Sequence, residues 1–167
     1  HCAEMGTASS MSAICEALGV ALPGSSLVPA TDRRRSHCAR EAGRRSVQLA
    51  ADGGPRPEEI LDARAFDNAI TLLCAVGGST NAIIHLLALA GRVGVPLTLD
   101  RFDEIARRVP LIANVQPAGE HLTERLMTAG GVPALLKTLA PLLHLDARTV
   151  DGRTIGEIAA SAEVLDP

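Results

Sequence analysis

The sequence predicts a mainly helical piece of an α/β layer with few short strands. Three observations carry that expectation. The 167 residues are 47% hydrophobic but contain only two aromatics, both Phe, so the core is built from Leu, Ile, Val and Ala, which suits closely packed helices better than an aromatic-rich sandwich. Apolar residues recur at helical spacing between Gly and Pro breakers over most of the length. One short run, Leu111-Ile112-Ala113-Asn114-Val115, has the make-up of a strand.

Element by element, a first helix is expected over Thr7 to Leu18, stopped by Gly19, with a turn at Pro23-Gly24. A second spans Asp32 to Ala51 and ends in Asp52-Gly53-Gly54-Pro55. Pro57 then opens a short turn over Glu58 to Leu61. Helices follow at Ala65–Val76, Asn81–Arg92 and Arg101–Arg108. After the strand candidate, closed by Pro117, come helices at Leu122–Ala129 and Pro133–Leu139. The Asp-Gly turn in Thr149-Val150-Asp151-Gly152-Arg153-Thr154 suggests a small hairpin.

Composition excludes several classes. A net charge of −3 with mixed signs argues against a general nucleic-acid binder, and the apolar content argues against disorder. Ile70 to Ala90 is apolar enough to suggest a membrane span, but Gly77-Gly78-Ser79-Thr80-Asn81 would place polar groups at its centre. Two buried helices with a tight loop explain it better. No charged segment followed by an apolar one opens the sequence, so a cytoplasmic protein without membrane partners is expected.

Chemistry is concentrated in few places. Cys2 precedes a helix start and a run of small residues, Gly6, Ala8, Ser9 and Ser10. A thiolate there is stabilised by the helix dipole, and a buried structural thiol is the competing reading. Ser79, Thr80 and Asn81 begin a helix that is apolar on almost every face, Ala82 to Ala90. They either present N–H groups and side chains to an anionic ligand or simply cap that helix. Arg33, Arg34, Arg35, Arg40, Arg44 and Arg45 read as a solvated helix face, because Asp32 and Glu41 interleave and no aromatic is present to stack bases. Cys15, Cys38 and Cys74 form no pair at metal-ligand spacing and read as structural. His85 reads as a hydrogen-bonded core histidine, and no catalytic triad, P-loop or GxGxxG occurs.

Taken together, CAEMGTASSM, EALGVALPGSS, AFDNAITLLCAVGGSTNAIIHLLALA, VPLIANVQPAG, AGGVPALLK and TVDGRTIGE, in this order, resemble the dihydroxy-acid dehydratase and phosphogluconate dehydratase family over essentially the whole chain. The resemblance implies the mainly helical later part of an N-terminal α/β/α domain, residues 1–167, with the upstream segment and the C-terminal domain outside this sequence. It implies a hydro-lyase that turns a 2,3-dihydroxy acid into a 2-keto acid, with an iron–sulfur cluster, [2Fe–2S] in preference to [4Fe–4S], and Mg²⁺. Cys2 matches one of three cluster cysteines, and the open iron site acts as a Lewis acid. The other two, the magnesium ligands and the serine base match no residue here, so no catalytic residue is expected in this chain. Gly6, Ser9 and Asn114-Val115-Gln116-Pro117-Ala118-Gly119 look more like the sugar-acid branch than the branched-chain biosynthetic one, whereas His1 and Glu4 depart from the commoner small or amide residues of the cysteine segment. The implied partners are a small hydroxy-acid substrate and further copies in a homodimer or tetramer. A non-catalytic helical module on the same scaffold is the reading from a different class.

Overall fold

A computed structural model describes residues 3–166. The chain folds as nine helices among the described residues: α1 Thr7–Ala17, α2 Arg34–Asp52, α3 Pro57–Ile60, α4 Ala63–Ala75, α5 Asn81–Val93, α6 Leu99–Ala106, α7 Thr123–Thr128, α8 Gly131–Thr138 and α9 Ile155–Ser161. A 3₁₀ turn at Ala140–Leu142 follows α8.

The core sits around α4. Phe66, Ala69, Ile70, Leu72 and Ala75 are completely buried there, and α4 packs on α1, α5 and α6 while α8 packs on α9. Local chemistry sets the ends of α4. The Asp62 carboxylate accepts from the Ala65 N–H at 3.0 Å at its start. At its end Gly77 adopts a left-handed φ of 60°, where a Cβ would lie 3.0 Å from Ala118 Cβ. Asn68, fully buried, clasps the backbone of His144, taking its N–H at 2.8 Å and donating to its carbonyl at 3.0 Å. A buried amide is thereby paid in full.

The strand expectations need correction. Among the described residues the only β pairing is two isolated bridges, Val115 with His121 and Arg148 with Thr154. Leu111 to Val115 has no neighbouring strand, because the Ile112 and Ala113 N–H groups both donate to the Ala75 carbonyl at the end of α4. A strand needs a partner, and a helix terminus with free carbonyls took its place. The Asp-Gly turn forms a hairpin reduced to one antiparallel bridge, Arg148 with Thr154, with Thr149 N–H on the Arg153 carbonyl. Thr154 also caps α9, a helix the residue pattern did not suggest, through a reciprocal capping box with Glu157.

The run from Ile70 to Ala90 is two helices with a tight loop, as expected, but α5 is not deep. Only Ala82, Leu86 and Ala90 are buried in it, and Ile84 is 67% exposed. His85 is exposed rather than a core histidine. No helix among the described residues is long and apolar enough to cross a membrane.

Candidate functional site

Three segments separated by many residues meet at one end of the α1–α4–α5 packing. The first leads into α1. The second is the Gly77–Asn81 loop between α4 and α5, and the third runs from Leu111 to Thr123.

Hydroxyls and amides join the first two. Thr7 Oγ1 and Ser79 Oγ lie 3.0 Å apart, and Asn81 Nδ2 donates to Thr7 Oγ1 at 3.0 Å. Ser10, completely buried, accepts from the Ser79 N–H at 2.9 Å. Gly78 permits this approach, since a Cβ there would lie 2.5 Å from Leu73 Cδ1 and 3.0 Å from Ser10 Oγ. The N-termini of α1 and α5 are therefore neighbours. Neither carries an acidic residue in its first turn, so no carboxylate there offsets the partial positive charge of these two ends. Sequence reasoning singled out both segments separately, and the fold brings them together.

The third segment holds the first. Met5 N–H donates to the Gln116 carbonyl at 2.7 Å. The Ala3 carbonyl accepts both the Thr123 N–H at 2.7 Å and the Thr123 hydroxyl at 2.9 Å. Thr123 carried no signal in the sequence, where it reads as the ordinary opening of a helix. On another side of the same segment lies a cleft of about 270 Å³ lined by Asn114, His121, Arg125 and Asp166 among others. Its Arg125 and Asp166 are paired with each other.

The capping reading of the loop holds for one residue only. Asn81 N–H lies 3.3 Å from Ser79 Oγ, whereas Thr80, at the N-cap position, makes no side-chain cap and is exposed. The loop is half-buried to exposed.

Cys2 lies outside the described residues. The remaining cysteines are free, half-buried and scattered. Burial pushes the Cys15 thiol up, with the Glu16 charge adding to it, and burial alone raises Cys74. Raised thiols are poor metal ligands. Among the described residues no group of three His, Cys, Asp or Glu could hold a metal ion. The described residues by themselves therefore supply no ligand set for a metal ion.

At the other end of α1, Glu16 is buried and its carboxylate accepts from the Gly24 N–H at 2.7 Å, the Ser26 N–H at 2.8 Å and the Ser26 hydroxyl. Burial raises its pKa, and these hydrogen bonds from Ser26 and Gly24 pull it back only in part. This clamp shapes the Pro23-Gly24 turn.

Residues 1–158 match the family model described as dihydroxy-acid/6-phosphogluconate dehydratase N-terminal. A dihydroxy-acid dehydratase of Ignicoccus hospitalis is 47% identical over 167 residues, covering 99% of this chain and 30% of that protein. Dihydroxy-acid dehydratase 1 of Nocardia farcinica is 48% identical over 168 residues, covering 99% of this chain and 29% of its own length. An L-arabinonate dehydratase of Rhizobium leguminosarum is 51% identical over 142 residues, 84% of this chain and 24% of that protein. The chain spans less than a third of the length of these curated relatives.

Proposed function

Since this chain belongs to the dihydroxy-acid/6-phosphogluconate dehydratase N-terminal family, we propose that it is the later part of the N-terminal domain of a longer cytoplasmic hydro-lyase. That enzyme removes water from a 2,3-dihydroxy sugar acid to give a 2-keto-3-deoxy acid. The observation that carries the reading is the convergence of the segment after Cys2, the Ser79–Asn81 loop and the Leu111–Thr123 segment on two adjacent helix N-termini.

In this reading Cys2 is one thiolate ligand of an iron–sulfur cluster, [2Fe–2S] in kind. The cluster, when bound, supplies a Lewis acid to the departing hydroxyl, with Mg²⁺ held by residues outside this chain. The chain's own part is to bind and orient. The converging N-termini of α1 and α5 favour the negative charge of a carboxylate substrate. In the same reading Ser79, Thr80 and Asn81 face the substrate or the cluster, and exposed Thr80 is the hydroxyl among them that makes no cap. The proton-removing base and the remaining cluster ligands come from elsewhere in the longer protein.

A second substrate reading rests on the relatives named dihydroxy-acid dehydratase, among them those of Ignicoccus hospitalis and Nocardia farcinica, which match 99% of the chain. Assaying the longer protein on several aldonic acids and on dihydroxyisovalerate separates the two, and preference for the latter overturns the sugar-acid reading. Cys2→Ser should bleach the visible absorption and abolish dehydration, whereas Cys15→Ser should do neither. Full iron content and activity in Cys2→Ser would remove Cys2 from the site. The chain made alone, supplied with iron, sulfide and Mg²⁺, should form no keto acid, and turnover above a metal-only blank would show a more local site.

A further inference from the structure

We propose that Thr123 is a positioning residue for Cys2, an assignment that rests on the reading of Cys2 as a cluster ligand. Ala3, the next residue after Cys2, is exposed, and so is Glu4. Nothing in their own burial fixes this stretch of backbone. Thr123 is 2% exposed and sits at the first position of α7. An N–H at that position has no acceptor within its own helix, and α7 has no side-chain cap. Thr123 directs both its N–H, at 2.7 Å, and its hydroxyl, at 2.9 Å, to the Ala3 carbonyl.

Two donors on one carbonyl use both of its lone pairs and set the direction of that peptide plane. Together with Met5 N–H on the Gln116 carbonyl, they tie an exposed segment to a buried anchor at points on both sides of Glu4. The Ala3–Glu4 peptide, which begins one residue after Cys2, is thereby held by the fold. Groups that orient a metal ligand without touching the metal typically change its affinity ten- to a hundred-fold when removed. The Thr123 hydroxyl is the side-chain half of this anchor and can be deleted without disturbing the backbone half.

The test uses the longer protein loaded anaerobically with its cluster. Thr123→Val keeps the volume and the N–H but loses the hydroxyl donor, and Thr123→Ser restores that donor. Thr123→Val should release iron to a chelator about ten-fold faster than wild type, with an altered visible circular dichroism spectrum. Thr123→Ser should return both toward wild type. Should Thr123→Val fail to accumulate folded, Thr123→Ala carries the same comparison. Wild-type release and an unchanged spectrum in the hydroxyl-deleted variant would overturn the proposal. Cys2→Ser run alongside separates the two ways of failing. If it bleaches while the hydroxyl-deleted variant behaves as wild type, only the positioning role falls. If Cys2→Ser keeps its full iron, the ligand reading falls and the positioning role with it.

Discussion

Helices α2 and α4 are both legible as helices, yet they are held in place by opposite means. Of the 13 residues of α4, nine are buried, including Phe66 and Asn68. Of the 19 residues of α2, none is. Apolar burial holds α4. Hydrogen bonds from guanidinium groups to carbonyls on neighbouring segments tie α2 down: Arg35 reaches the Ser25 and Val28 carbonyls, and Arg45 the Val150 carbonyl. Its remaining charged residues behave as the solvated face expected from the sequence. Arg33 and Arg40 are exposed, and Arg34–Asp32 and Arg44–Glu41 are exposed pairs of small energetic value. A helical pattern thus reports the backbone, whereas its hold on the protein depends on what its faces meet.

Substitutions graded from the α4 core outward test this contrast. Phe66→Ala should be the most damaging, at about 3–5 kcal/mol from lost burial and the cavity left behind, read as a lower urea midpoint. Gly119→Ala should cost about 1–3 kcal/mol. Its Cβ would press on Asn114 Oδ1 and on the backbone of Asn114 and Val115, so the segment that receives Met5 must shift. An unchanged midpoint would show that this segment yields freely.

Glu16 gives a pH signature. Because burial raises its folded pKa above the ordinary value of 4.5, its stabilising contribution is complete below that value. It is lost as pH rises through the folded pKa. Urea midpoints of wild type and Glu16→Gln between about pH 4.5 and 8 should therefore shift in favour of Glu16→Gln as pH rises. A constant difference would mean that Glu16 does not titrate in this interval.

Smaller effects should follow at the loop. Ser79→Ala loses the contact with the Asn81 N–H and with Thr7, and should cost about 1 kcal/mol. Thr80→Ala, at a position without a cap, should change stability by less than about 0.5 kcal/mol. In the longer protein, a fall in turnover for Thr80→Ala at unchanged stability would place Thr80 against substrate, and wild-type kinetics would remove it. Val47→Ala on α2, at 70% exposure, should be the smallest, within about 0.5 kcal/mol. A loss as large as that of Phe66→Ala would break the contrast and show α2 to be packed against something.

The helices from α1 to α8 were legible from periodicity and breakers, with the short α3 read only as a turn opened by Pro57, because Gly, Pro and spacing act within a few residues. Sharper ends needed the caps, as where Asp62 starts α4 and Asp32 accepts from the Arg34 N–H ahead of α2. The chemistry-bearing segments around Cys2 and at Ser79–Asn81 were also visible, each as a local pattern. Three things were not. Leu111 to Val115 has strand-like residues but no strand beside it, and pairing is a property of two segments. The apolar helix α5 leaves Ile84 and His85 exposed, because apolar residues on every face do not say how many faces find neighbours. The hold of Thr123 on Ala3 joins residues 120 positions apart. Sequence fixes what each stretch prefers over a turn or two of helix; which distant groups become each other's hydrogen-bond partners is decided only when the packing closes.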